Sequence, residues 1–220
     1  MRLREALQIE RGVTAIIGAG GKTTLLLALA RELRREGTVI VCTTTHILPP
    51  PLPLVTQPEE IAPSLQKYGV ICAALPAGHG KLTAPALPVS GLAELADFVL
   101  VEADGAHGLP FKAHAAYEPV IPPGAQQTVL VAGLSAIGMP IRQTVHRPEI
   151  FCSITGAAPE MLLSPRLAAE LIRREALHTR VFLNQADGEA RRRLGRELAE
   201  LLGCPVCMGA LERGYLECLF

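Results

Sequence analysis

Val13-Thr-Ala-Ile-Ile-Gly18-Ala-Gly-Gly-Lys22-Thr-Thr24 decides how the rest of this chain is read. Residues 13–17 are apolar almost without a break, as a strand buried on both faces of a parallel sheet must be. Glycines 18, 20 and 21 end that run, and Leu26, Leu29 and Leu33 then recur at helical spacing until Gly37 stops the helix near residue 35. A strand, a glycine loop and a helix are the setting for binding phosphate. Glycine reaches backbone angles closed to other residues, so the N–H groups of Gly18, Ala19, Gly20 and Gly21 can converge on oxygens. The helix start adds partial positive charge. Lys22 is expected to bridge the outer phosphates and the Thr23 hydroxyl to ligate Mg²⁺, with Thr24 closing the loop. The expected ligands are a nucleoside triphosphate, ATP or GTP, and Mg²⁺. The competing reading is a tight turn with a solvated Lys22.

The loop departs from the common form, which has glycine at the position of Ile16. It is the shorter Gly-x-x-Gly-Lys-Thr-Thr type and resembles the loop of the Mur ligases. A dinucleotide fingerprint fits worse, because it needs glycine where Thr23 stands.

Outward from the loop, strands are expected over 38–42, 70–73, 98–101, 128–132 and 181–183, and helices over 58–67, 164–176 and 188–202. Pro49-Pro-Pro-Leu-Pro53 is an exposed connection. Residues 76–88 and 103–126 read as long Gly- and Pro-rich loops of the kind that carry function. The alternation predicts an α/β fold, P-loop NTPase-like and three-layered, with a mainly parallel central sheet. All of 1–220 reads as a single nucleotide-binding domain.

Thr43, Thr44, Thr45 and His46 follow the second strand and should reach the carboxyl edge of the sheet, where open α/β sheets bind ligands. Thr44 is a candidate magnesium ligand there; three β-branched residues finishing a strand is the alternative. The strand 98–101 runs into Glu102 and Asp104, two carboxylates on one side of an extended chain. That is a Walker B arrangement, with Glu102 as a metal ligand and both acids, together with Lys22, as the catalytic set. Asn184-Gln-Ala-Asp187 occupies the strand end where GTPases carry Asn-Lys-x-Asp. Asn184 and Asp187 are candidates for base contact, and a helix cap at Asp187 is the rival.

Lys+Arg and Asp+Glu are 21 each, and aromatics are 4% with no Trp. Neither a basic field nor a stacking surface is present for nucleic acid, and nothing marks a membrane partner. The charged start Met1-Arg-Leu-Arg-Glu lacks an apolar targeting core, and six scattered cysteines read as reduced thiols, so a cytoplasmic protein is expected. Cys204 and Cys207 have thioredoxin-like spacing but are read as buried structural thiols. His46, His107, His114 and His146 match no zinc spacing.

Taken together, Gly18–Thr24, Thr43-Thr-Thr-His-Ile47, Val101-Glu-Ala-Asp-Gly105, Gly108-Leu-Pro-Phe-Lys112, Glu118-Pro-Val-Ile-Pro122, Val145-His-Arg-Pro-Glu149 and Leu183-Asn-Gln-Ala-Asp187 resemble the YqeC family. The resemblance covers most of the chain. It departs at Gln185, where family members usually carry lysine. It implies a P-loop accessory factor acting in maturation of selenium-dependent molybdenum hydroxylases, with such a hydroxylase or its cofactor-maturation proteins as partner. It also makes Lys112, Glu118, His146 and Arg147 candidates beside Thr43, Thr45, His46 and His107. Two other functions fit the same residues: a GTP-switched metallochaperone, and a Mur-like ATP-dependent ligase.

Overall fold

The computed structural model describes residues 1–219. Helix α1 (Leu3–Leu7) leads into strand β1 (Gly12–Gly18), helix α2 (Lys22–Leu33) and strand β2 (Val39–Thr43). After β3 (Leu54–Val55) come α3 (Ile61–Tyr68), β4 (Val70–Ala73), the hairpin β5 (Leu75–Ala77) and β6 (Lys81–Thr83), α4 (Val89–Ala93) and β7 (Phe98–Glu102). The chain continues through β8 (Phe111–Lys112), β9 (Gln127–Gly133), α5 (Ile141–Thr144), β10 (Val145–His146) and α6 (Pro148–Thr155). It ends with α7 (Pro165–Glu175), β11 (Arg180–Asn184), α8 (Gly188–Leu202), β12 (Val206–Ala210) and β13 (Tyr215–Leu219). The contacts group into two compact units. The first comprises Met1–Ile17, Thr23–Gly105 and Val120–Thr128; the second comprises Gly18–Lys22, Ala106–Pro119 and the chain from Val129 onward.

In the first unit the strands run in the order β1-β7-β2-β4-β3, all parallel. Strands β2 and β7 are buried along their whole length, which is why they read as unbroken apolar runs rather than alternations. Val13, Ile40, Cys42, Ile71, Ala73, Val99 and Val101 share one face and pack on Ile61 and Leu65 of α3 and Leu92 of α4. The alternate residues point to the opposite face, where the Arg4 guanidinium of α1 lies 5.6 Å from the centre of the Phe98 ring. Helix α1 has only five residues and is tied down by the Glu32 carboxylate, which accepts from the backbone N–H groups of Leu3 and Arg4 at 2.9 Å each.

In the second unit β9, β11 and β12 are parallel neighbours, and β13 returns antiparallel to β12 through a turn at Gly214, whose φ is +67°. Helix α7 packs against α8, and α8 against β12. Strands β8 and β10 form a separate two-stranded parallel pair. Cys207 faces Cys218 across β12 and β13 with their sulfurs 3.3 Å apart, so the thiol beside Cys207 is not Cys204.

The α/β architecture with a mainly parallel sheet is as the alternation predicts. Strand β7 lies between β1 and β2, an order that the alternation leaves open. Some details differ. The segment 58–67 opens with a 3₁₀ turn at Pro58–Glu60 before α3 begins. The two long loops contain short strands, β5 and β6 in one and β8 in the other, whose partners lie too far along the chain or are too short for periodicity to reveal. Among the described residues no helix is long and apolar enough to cross a membrane.

Candidate functional site

The phosphate loop is built from backbone. Gly18, Gly20 and Gly21 have φ of +91°, +85° and +117°, angles that a side chain would oppose. Close approach demands glycine as well: a Cβ on Gly20 would lie 2.5 Å from the Gly133 backbone and 2.6 Å from the Pro110 carbonyl oxygen. The Ala19 N–H, expected to face phosphate oxygens, instead donates to the Val131 carbonyl of β9 at 2.9 Å and ties the loop to that strand, while the Asn184 side-chain amide donates to the Gly20 carbonyl at 2.8 Å. Lys22 folds back over the loop, its Nζ donating to the Gly18 carbonyl at 2.8 Å. Only 5% of Lys22 is exposed, so the solvated lysine of a simple turn is not what is found. A buried ammonium is thus held on a loop of left-handed glycines where α2 begins, a setting that suits an anion.

The acidic strand end lies in the first unit. In register, Glu102 stands opposite Ile16 of β1 and Thr43 of β2. The Thr23 hydroxyl donates to Glu102 Oε2 at 3.1 Å. Both atoms are hard oxygen donors, and two neighbouring ligands of an octahedral Mg²⁺ at 2.0–2.1 Å stand about 3 Å apart. The pair therefore fits the ion that a P-loop requires. Asp104 is fully buried and Glu102 nearly so.

The threonine run has divided tasks. Thr43 Oγ1 donates to the Glu102 carbonyl at 2.8 Å and accepts from the Thr45 N–H at 3.0 Å, which holds the β2 end against β7. Thr44 Oγ1 donates to the Val120 carbonyl at 2.7 Å, leaving its lone pairs to accept or ligate. His46 is exposed.

At the end of β11 the residues expected to read a base have other contacts. Asn184 holds the phosphate loop, as described, and Gln185, at φ +62°, accepts a hydrogen bond from the Ser135 hydroxyl. Asp187 occupies the N-cap position of α8, yet its side chain makes no cap bond. Its carboxylate instead meets Arg213 at 2.9 Å and Arg191 at 3.5 Å.

The second unit also gathers residues widely separated in sequence. The buried Lys112 ammonium meets Glu118 Oε1 at 2.8 Å, and Arg147 Nε meets the same oxygen at 3.1 Å. The His107 and His146 rings stack with centroids 4.8 Å apart, and the Arg147 guanidinium lies 4.9 Å from the Tyr117 ring centre. Burial, then the charges of Lys112, His107 and Arg147, hold the His146 imidazole below the usual histidine range. His114 is apart from this group, its Nδ1 paired with Glu175 at 2.8 Å. Sequence reasoning missed Tyr117, Glu175, Ser135 and Pro110, none of which carries a motif.

The model of the family described as YqeC protein matches residues 14–149. A protein of Escherichia coli (strain K12), named "Uncharacterized protein YqeC", is 33% identical over 172 residues, which cover 73% of this chain and 67% of that one. Among solved structures, the signal recognition particle 54 kDa protein from Aeropyrum pernix K1 in complex with GDP aligns at 16% identity with a TM-score of 0.45. That alignment covers 96% of this chain but only 44% of the other, a likeness too remote to bear on function. The phosphate loop, the threonine run, the acidic strand end and the Val145–Glu149 segment all fall within the matched span, and the chain belongs to the YqeC family.

Proposed function

We propose that this chain binds a nucleoside triphosphate with Mg²⁺ and uses or hydrolyses it in maturing a selenium-dependent molybdenum hydroxylase. One observation carries the nucleotide part: the loop Gly18–Lys22, with three left-handed glycines and a buried lysine folded onto its own carbonyl. Such a loop holds its backbone and a charge in place before the ligand arrives, so little ordering cost remains at binding. The Thr23 and Glu102 oxygens, 3.1 Å apart within the first unit, are the pair that would hold Mg²⁺. The hydroxylase client rests on the family resemblance alone.

The choice between ATP and GTP turns on Asp187. To accept the N–H groups of a guanine edge, its carboxylate must leave Arg191 and Arg213, both on the surface. A thermal-shift panel of ATP, GTP and their diphosphates, with and without Mg²⁺, tests the whole reading. A saturating ligand at about 100 times its Kd adds about 2.7 kcal/mol, which moves the midpoint of a chain this size by about 5–10 °C. We expect that shift for a triphosphate with Mg²⁺. No shift with any nucleotide would overturn the assignment.

A further inference from the structure

The cluster around His146 has the makings of a second binding site. Lys112 and Glu118 form a buried floor, with side chains 0% and 9% exposed. Above it stand His107, which is exposed, and His146 and Arg147, which are half-buried. These groups carry two fixed cations against one carboxylate. Arg147 spends its Nε on Glu118, and its planar fork has two further nitrogens suited to a carboxylate or phosphate.

The backbone beneath the cluster is strained. Arg147 has φ +64° and His107 has φ +49°, left-handed angles that disfavour both residue types. Residues held this way carry backbone strain and cluster at ligand sites. Arg147 is further constrained because Pro148 follows it at the start of α6.

Location adds the third argument. The Pro110 carbonyl accepts from the Gly133 N–H at 2.8 Å and lies against Gly20 of the phosphate loop. Strand β8 starts at the next residue, so Lys112 follows Pro110 by two residues, about 7 Å of extended chain. The cluster is thus one short strand away from the loop, all within one compact unit.

We infer that His107, His146 and Arg147, on the Lys112–Glu118 floor, form the seat of a second substrate bearing a small oxyanion, a carboxylate or a phosphate, beside the nucleotide. This rests on the nucleotide reading for its purpose but not for its test. The imidazole of His146, held neutral, keeps one ring N–H to donate to such an oxyanion.

The test is a titration of the full chain with inorganic phosphate, and separately with malonate, at constant pH. Imidazole ¹H–¹⁵N resonances are followed in wild type and in Lys22→Ala, which disables the phosphate loop. We expect saturable shifts at His107 and His146 with either probe, persisting in Lys22→Ala, and the probe that binds tighter identifies the oxyanion. Arg147→Ala should weaken binding about tenfold or more, from the loss of a charged hydrogen-bond partner. Because that variant also breaks the Glu118 pair, His107→Ala, at an exposed position, provides a second arm and should weaken binding severalfold. Shifts lost in Lys22→Ala, shifts shared equally by His46 and His79, or affinity unchanged in both Arg147→Ala and His107→Ala would each overturn the proposal. Failure of nucleotide binding in wild type would instead strike the nucleotide reading and leave this measurement standing.

Discussion

The phosphate loop and the His107–Arg147 cluster belong to one compact unit and are built in opposite ways. The loop is five consecutive residues whose proposed role lies in their backbone: positive φ angles and a lysine returning to the carbonyl four residues earlier. The cluster draws side chains from positions 107, 112, 117, 118, 146 and 147, joined by ion pairs, ring stacking and a two-residue strand pair. Backbone sites are local and shaped by glycine, so they leave a mark in sequence. Side-chain sites closed over 30 or 40 residues leave almost none, because each member alone is an ordinary polar residue.

The comparison breaks most directly at Lys22. Removing a buried charge that faces phosphate costs about 2–5 kcal/mol, so Lys22→Ala should lower triphosphate affinity on the order of 100-fold by calorimetry. An unchanged affinity would show that the loop is only a turn. Glu102→Gln comes next. It keeps the acceptor for the Thr23 hydroxyl but removes the charge, so nucleotide binding should survive while any turnover falls about 100-fold. Parallel loss of binding and turnover would make Glu102 a structural acid instead.

Gly20→Ala asks whether the loop is as backbone-determined as its geometry implies. An added Cβ meets the Gly133 backbone and the Pro110 oxygen at a residue with φ +85°, so a destabilisation of about 1–3 kcal/mol is expected in urea unfolding. Gly138, also left-handed but open to space, serves as the control: Gly138→Ala carries the angular penalty without the collision and should cost less. Equal costs would remove the close-approach argument.

The smallest effect is a pH slope that belongs to the cluster's side of the comparison. Burial lowers the pKa of His146 and of His178 below 6.5, in His146 with help from neighbouring cations. The unfolded chain therefore takes up protons near pH 6.5 that the folded chain resists. Stability is fully present above that pH and declines as pH falls through the folded-state values. His146→Asn and His178→Asn should each flatten the decline between pH 7 and 5 in urea unfolding, and a slope unaltered by both would assign it to other groups.

Two groups of candidate residues were legible to different degrees. Glu102 and Thr23 follow from a strand ending in acid and a loop ending in hydroxyl, and the structure brings their oxygens to 3.1 Å. Asn184 and Asp187 follow from a strand-end motif, yet Asn184 holds Gly20 and Asp187 is paired with two arginines. Nothing in a four-residue motif tells whether its amide faces a base or a neighbouring loop. His114 was one histidine among several until Glu175, 61 residues away, took its ring.

By itself the sequence determined what depends on neighbours along the chain: the apolar strands β1, β2, β4 and β7, the glycine turn after β1, the start of α2, and the acids that finish β7. These follow from local backbone preference and from the cost of leaving apolar runs in water. Tertiary structure alone decided the placing of β7 between β1 and β2, the pairing of β8 with β10, and the partners of Lys112, Asn184 and Asp187. Those outcomes depend on which distant surfaces meet, and a side chain's partner is set by that meeting rather than by its own chemistry.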